Sequence, residues 1–170
     1  MRPSDPLGKA NPNAPAELSR FAFLIGNWRC VAKARLPSGK WKSFTASWLG
    51  RYILDGYAIA DEYRMTDSSG ELIVLGMNFR VYDATRKMWN IKWLHALSGA
   101  WVDLGPESLG GVRFEGRSIL YSFREPMAGH ALTRATYTSV SRTCFTWKGE
   151  QSDDGQDWTD FMVLEARRTK

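Results

Sequence analysis

The feature that most constrains the fold is a succession of short runs in which apolar and polar residues alternate. In the first run, Trp28, Cys30 and Ala32 share one face, while Arg29 and Lys33 lie on the other. Alternation with a period of two is typical of a β-strand with one buried face. Groups of Pro, Gly, Asp and Ser separate the runs at spacings of about 8–12 residues. The pattern predicts an all-β chain built from consecutive antiparallel hairpins.

These runs predict about ten strands, preceded by one helix. Pro15 opens a segment in which Leu18, Phe21 and Leu24 recur at helical spacing, and Gly26 ends it. The alternating runs that follow cover residues 27–35, 41–48, 53–64, 72–82, 88–95, 100–104, 112–115, 118–124, 132–140, 144–150 and 158–168.

The order of these elements favours a barrel over an open sheet. The sequence shows no helical segments between the runs, which argues against a parallel sheet. Consecutive hairpins favour closure, since a closed barrel leaves no strand edge open. We predict an all-β, antiparallel up-and-down β-barrel with one short N-terminal helix, formed as a single domain by residues 15–170. Residues 1–14, rich in Pro, Asn and polar side chains, are predicted to be a flexible N-terminal arm.

Charge and hydropathy limit the kinds of molecule that this chain is expected to bind. Lys and Arg outnumber Asp and Glu by 23 to 18, but the basic residues are scattered, so we expect no nucleic-acid partner. No apolar run reaches the length of about 18 residues that spans a bilayer, and the first residues do not resemble a secretory signal. We therefore expect no membrane partner and a cytoplasmic location. Cys30 and Cys144 lie far apart in no paired motif, which is typical of reduced core residues.

Gly26-Asn27-Trp28 resembles the start of the calycins, the group of lipocalins, fatty-acid-binding proteins and related barrels. In that group a short helical turn precedes Gly-x-Trp, and a basic residue of the last strand packs over the Trp. The resemblance implies that Arg167 or Arg168 closes the barrel over Trp28 through a cation–π contact.

A larger part of the chain resembles a bacterial family of uncharacterised calycin-like barrels with no established reaction. The resemblance is carried by four segments, residues 23–28, residues 51–56, residues 79–83 with 89–93, and residues 154–168. The sequence departs from the family pattern in the turn at residues 83–86, which is one residue short, and at Gln156, where a second Gly is common. Both departures affect turn geometry rather than chemistry.

Two strands carry titratable residues at positions that alternation assigns to the lumen. Trp93 and His95 share a face of the run 88–95. His95 ends this run, either as a titratable group near the barrel mouth or as a partly exposed histidine of a core strand. Asp61 and Tyr63 share a face of the run 53–64. Because an unpaired Asp is costly to bury, either this face lines a polar cavity or it is the outer face of the barrel.

Further lumen candidates are apolar residues at alternating positions, together with basic residues. Arg124 and Arg134 are candidates for binding a carboxylate head group, with an outward position on a basic surface as the alternative. The apolar candidates for ligand contact are Met77, Phe79, Trp101 and Tyr121.

The sequence leaves three functions open. The abundance of aromatic residues favours binding of a small hydrophobic or aromatic molecule by Tyr63, Trp93 and Trp101. The alternative is a cofactor-independent lyase or isomerase that uses His95 with Asp61 for acid–base chemistry on a small hydrophobic acid. The third is haem binding, as in related barrels that take an axial histidine from the end of the chain. The run 158–168 contains no histidine, which leaves only His95 or His130 for that role.

We therefore predict no cofactor. The two histidines, His95 and His130, have no Cys or carboxylate at ligand spacing, so we predict no metal site. A homodimer is compatible with the sequence.

Overall fold

The structure is a computed structural model, which describes residues 5–125 and 129–169. Three 3₁₀ segments, Ala16–Leu24, Leu54–Gly56 and Glu107–Leu109, accompany the strands. The strands are β1 (Gly26–Arg35), β2 (Trp41–Ile53), β3 (Ala58–Thr66), β4 (Leu72–Asp83), β5 (Met88–His95), β6 (Ala100–Leu104), β7 (Val112–Glu115), β8 (Ser118–Phe123), β9 (Leu132–Thr138), β10 (Cys144–Ser152) and β11 (Thr159–Arg168).

The strands form one closed antiparallel sheet. Consecutive strands pair from β1 to β6 and from β7 to β11, and β1 pairs with β11. The ring closes where Leu104 of β6 pairs with Phe123 of β8. Strand β7 pairs with β8 and lies outside this ring in the described structure. The predicted fold class, a barrel of about ten strands, is confirmed as a closed ring with one extra strand.

The N-terminal helix is a 3₁₀ helix that packs against the barrel interior. Its buried residues, Leu18, Phe21 and Leu24, are three positions apart, a spacing that places them on one face at three residues per turn. The ring of Phe21 lies edge-on to Trp89 at a centroid distance of 4.8 Å. It also contacts the ring of Tyr137 at 6.5 Å. This end of the barrel is therefore filled by protein side chains.

Arg168 joins the start and the end of the barrel. Its guanidinium carbon lies 4.2 Å from the ring centroid of Trp28, the cation–π contact that the calycin resemblance implies. The same guanidinium donates to the carbonyl oxygen of Ile25 at 2.6 Å and to that of Arg142 at 2.7 Å. Of the two candidate arginines, Arg168 makes this closure.

The chain ahead of the helix runs along the barrel surface. The amide of Tyr52 donates to the carbonyl oxygen of Leu7 at 2.8 Å, and the amide of Asn11 donates to that of Gly56 at 3.1 Å. The positive φ of Gly56, 84°, and its lack of a Cβ allow this close approach of two backbones. Residues 1–4 of the predicted arm lie outside the described residues.

No helix among the described residues is long and apolar enough to cross a membrane.

Candidate ligand-binding site

The barrel interior contains an aromatic cavity of about 350 Å³. Nine buried residues form its floor and walls, Trp48, Tyr63, Asn78, Leu104, Tyr121, Phe123, Thr133, Ala135 and Tyr137. Eight half-buried residues lie nearer the solvent and form its mouth, Val74, Trp93, His95, Glu125, Trp147, Gln151, Phe161 and Met162. The surface that a ligand would meet is therefore mainly apolar, with a few polar groups.

A β-bulge brings additional side chains into the mouth. Gly149 pairs with Met162 and Glu150 pairs with Asp160, so Phe161 is an extra residue between two pairs of the ladder. Both Phe161 and Met162 then line the cavity, although neighbouring residues of a regular strand point to opposite faces.

Two glycines leave room for aromatic rings next to the barrel wall. A Cβ on Gly76 would collide with the indole of Trp93, and a Cβ on Gly149 would collide with the rings of Phe161 and Trp147. Glycine at these positions gives the three rings the space that a Cβ would occupy.

A fully buried ion pair lies beside the cavity. Asp61 and Arg80 are both 0% exposed, and Arg80 Nε donates to Asp61 Oδ2 at 2.7 Å. The amide of Asn78 donates to Asp61 Oδ1 at 2.7 Å, and Arg80 Nη2 donates to the hydroxyl of Tyr137 at 3.1 Å. These contacts satisfy both carboxylate oxygens of Asp61.

The ion pair is neutral as a unit. Burial alone would lower the pKa of Arg80, but the adjacent Asp61 carboxylate outweighs that effect and holds the pKa well above its usual value. Burial raises the pKa of Tyr137 well above that of a free phenol, so this hydroxyl is protonated at neutral pH. The guanidinium of Arg80 also lies over the ring of Phe21, with its carbon 4.6 Å from the ring centroid.

Three residues that line the cavity each have one fully buried polar atom with no hydrogen-bond partner among the described residues. These atoms are Trp48 Nε1, the Tyr63 hydroxyl and Thr133 Oγ1. Each is buried, and an unsatisfied buried donor or acceptor costs about 1–3 kcal/mol. Burial also raises the pKa of Tyr63, so its hydroxyl is protonated at neutral pH.

Four of the predicted ligand contacts or catalytic residues line the cavity. They are Tyr63, Trp93, His95 and Tyr121. Asp61 lies on the inner face of β3, as in the first of the two alternatives, and is held by Arg80 and Asn78. His95 Nδ1 lies 2.9 Å from Ser98 Oγ in the turn after β5. No contact between His95 and Asp61 is found in the described structure, so the predicted acid–base pair is not assembled there.

Met77, Phe79 and Trp101 lie on the outer face of the barrel instead of in the cavity. Asn78 and Arg80 point inward on β4, so alternation directs Met77 and Phe79 outward. Trp101 is 57% exposed and packs against Phe79, with the ring centroids 5.9 Å apart.

The two arginines considered for a carboxylate head group have other partners. Arg124 is exposed, and its Nη1 donates to the carbonyl oxygen of Ala131 at 3.1 Å. Arg134 donates from two nitrogens to the two carboxylate oxygens of Glu150, both at 3.0 Å, and its guanidinium covers the ring of Trp158. Neither arginine is part of the cavity lining.

The sequence pattern did not identify Trp48, Thr133 and Tyr137 as lining residues or Arg80 as the partner of Asp61. One signal for Arg80 was present, because an inward Asp61 requires a buried partner. Arg80 is at an inward position of the neighbouring strand, where Ile59 pairs with it and Asp61 pairs with Asn78.

Among the described residues no group of three His, Cys, Asp or Glu side chains is placed to hold a metal ion.

Comparison with known proteins finds similarity in structure. No family model matches the chain, and no curated protein sequence matches it. Rv2717c from M. tuberculosis superposes with a TM-score of 0.65 at 11% identity, over 93% of this chain and 100% of that one. The S-type phycobiliprotein lyase CPES from Guillardia theta gives a TM-score of 0.58 at 10% identity, over 89% and 92%. These similarities support the closed antiparallel β-barrel fold and extend over about nine-tenths of the chain.

Proposed function

We propose that this barrel binds one small, largely apolar or aromatic molecule in its central cavity. The observation that carries the proposal is the cavity of about 350 Å³ in the barrel interior, whose lining is dominated by tryptophan, tyrosine and phenylalanine side chains. A ligand that fills the cavity makes the dispersion contacts with these rings that the empty cavity lacks.

The size and lining of the cavity agree with this function. Its volume is within the range of about 300–1,000 Å³ that is usual for small-molecule sites. Such sites combine apolar walls with a small number of polar groups that fix the orientation of the ligand. The half-buried lining residues His95 and Gln151 are polar groups of this kind, whereas the carboxylate of Asp61 bonds to other side chains of the protein.

Binding is favoured over the alternative of acid–base catalysis by the contacts of Asp61 and His95. Catalysis by this pair requires the carboxylate to orient the imidazole. Both oxygens of Asp61 are bonded to Arg80 and Asn78, and His95 Nδ1 contacts Ser98. We therefore propose that His95 contributes a polar surface at the mouth of the cavity.

A cavity-filling substitution tests the proposal. Val74 lines the cavity from β4, and Val81 lies on the outer face of the same strand. Native mass spectrometry of freshly purified protein detects any ligand that is already bound. Titration with the neutral dye Nile red measures the affinity of the cavity for an apolar aromatic compound. We expect Val74→Trp to weaken dye binding at least tenfold, whereas the control Val81→Trp leaves it unchanged.

Two results would contradict this proposal. One is the absence of any bound mass together with no response to the dye or to a panel of apolar aromatic compounds. The other is equal dye binding by Val74→Trp and Val81→Trp, which would place the dye outside the cavity.

A further inference from the structure

We propose that the outer face of β4 binds a second copy of this chain, so that two barrels form a symmetric dimer. The surface, which we call the outer patch, consists of apolar side chains on the outer faces of β4, β5 and β6. Its members are Leu75, Met77, Phe79, Val81, Leu94 and Trp101. None of them lines the cavity, so this inference is independent of the proposed binding function.

The first step is the reversed alternation of β4. Its inward residues Asn78 and Arg80 are polar and buried. Its outward residues from Leu75 to Val81 are all apolar. An antiparallel strand whose outer face meets water normally carries polar residues there. The outer row of β4 therefore has the composition of a face that is covered.

The second step is the extension of this row across the neighbouring strands. Leu94 of β5 pairs with Met77 on one side and with Trp101 of β6 on the other. Trp101 is 57% exposed, and its ring centroid lies 5.9 Å from that of Phe79. Single exposed apolar residues are common in soluble proteins, whereas a contiguous exposed patch marks an interaction surface.

The third step is a pair of charges at the border of the outer patch. Glu62 and Arg64 of β3 pair in the sheet with Met77 and Leu75. Neither forms an ion pair with another described residue. Lys92, which pairs with the patch from β5, already has an ion pair within its own chain. Glu62 and Arg64 therefore leave one charge of each sign for a partner.

The fourth step is the symmetry that these two charges define. Glu62 and Arg64 are two positions apart on one face of a strand. A twofold axis that runs across the strands between them places Glu62 of each copy opposite Arg64 of the other. The same axis crosses β4 between Leu75 and Met77 and brings the two apolar rows together. A second copy thus satisfies both charges at once, and such pairs fix the register of an interface.

A charge at the centre of the outer patch tests the surface. Sedimentation velocity of the full chain over a series of concentrations gives the dissociation constant of the dimer, whose mass is twice 19.3 kDa. Met77→Asp places a carboxylate where the two rows meet, and burying a carboxylate without a counter-charge is costly. We expect Met77→Asp to raise the dissociation constant by about tenfold or more. The control Val31→Asp, at a position of β1 that is 53% exposed, should leave it unchanged.

Charge reversal tests the axis. Glu62→Arg places two arginines opposite each other in the proposed dimer, and Arg64→Glu places two glutamates there. We expect each single variant to raise the dissociation constant by about three- to tenfold. The double variant that carries both Glu62→Arg and Arg64→Glu restores the opposite charges and should dimerise about as tightly as the wild-type protein. Circular dichroism and thermal melting establish that each variant is folded.

The outcomes separate the parts of this proposal. A wild-type protein that is monomeric at every concentration overturns the dimer, and its co-sedimentation with phosphatidylcholine vesicles would assign the outer patch to a lipid surface instead. A dimer that Met77→Asp and Val31→Asp affect equally overturns the assigned surface. A dimer that Met77→Asp disrupts but that the double charge variant fails to restore overturns the assigned axis.

Discussion

At the scale of single residues, the barrel interior contains two kinds of buried polar group. Asp61 and Arg80 are completely buried and bonded to each other, which makes them part of the scaffold. Trp48, Tyr63 and Thr133 are equally enclosed but have no partners among the described residues. The first kind determines how the wall is built, and the second kind carries the free-energy cost of an unsatisfied buried group, as does Nη1 of Arg80.

Removal of Asp61 should strongly destabilise the fold. Asp61→Ala leaves the charge of Arg80 buried without a counter-ion, and the loss of one partner of such a pair costs about 3–5 kcal/mol. The control is Asp103→Ala, which breaks the exposed ion pair with Lys92 and should cost less than about 1 kcal/mol. Urea unfolding measures both free energies. Equal losses for the two variants would show that the buried pair is not structural.

The residue scale also shows where sequence reasoning failed. Alternation predicted the strand around Met77 and Phe79 but assigned the wrong face to the lumen, because these two residues are apolar. The inward residues of β4 include Gly76, Asn78 and Arg80. Two of them are polar, and their burial is explained only by their contacts with Asp61 on the neighbouring strand. Apolar residues show which face of a strand points inward only where the interior that the strand faces is also apolar.

At the scale of elements, one guanidinium connects the N-terminal 3₁₀ helix, β1 and β11. Arg168 donates to the carbonyl oxygens of Phe23 and Ile25 and covers the ring of Trp28. A helix leaves its last carbonyl groups without internal partners, and at this end Trp28 Nε1 satisfies that of Leu24 while Arg168 satisfies those of Phe23 and Ile25. The sequence predicted this contact through the Gly-x-Trp resemblance, but only the structure distinguishes Arg168 from Arg167.

Replacing this guanidinium should loosen the junction. We expect Arg168→Met to lower the free energy of unfolding by about 1–2 kcal/mol, because the contacts with the carbonyl groups and with Trp28 are lost while solvent still reaches the site. The adjacent Arg167→Met is the control and should change stability by less than about 0.5 kcal/mol. Thermal or urea unfolding provides the comparison. A loss in Arg167→Met as large as that in Arg168→Met would rule out a specific role of the junction.

At the scale of the whole molecule, the sequence predicted the architecture and left the cavity undetermined. The strand runs, their order and the turns between them follow from local alternation, and ring closure follows from the need to pair both edges. The volume and lining of the cavity depend on which face of each strand points inward and on features such as the bulge at Phe161. These depend on contacts between distant strands, so one sequence with no structure does not determine them.

The stability of the molecule should fall at alkaline pH. Burial raises the pKa of Cys30 from 9.0 to about 12, and burial also raises the pKa values of Tyr63 and Tyr137. Above pH 9.0 the unfolded thiol ionises while the folded one retains its proton, so the folded state binds more protons and stability decreases as pH rises. The contribution of the Cys30 thiol to the free energy of unfolding is complete below pH 9.0 and is lost as pH approaches about 12.

Urea unfolding at a series of pH values measures this effect. Cys30→Ala should reduce the slope of stability against pH in this range, with Cys144→Ala as the control. A slope that is the same in wild-type protein and in Cys30→Ala would contradict the assignment.

The pairing of β1 with β11 also has a consequence for the order of folding. Every other ladder in the ring joins strands close in sequence, whereas this one joins Trp28 to Arg168 across most of the chain. Contacts between distant residues form slowly, because a long loop must close before they gain energy. The hairpins can therefore assemble as a curved open sheet, and the enclosed chamber exists only after β11 has joined β1. A ligand present during that step would meet an open trough with both walls accessible, so it can be enclosed as the barrel closes without passing through the finished mouth.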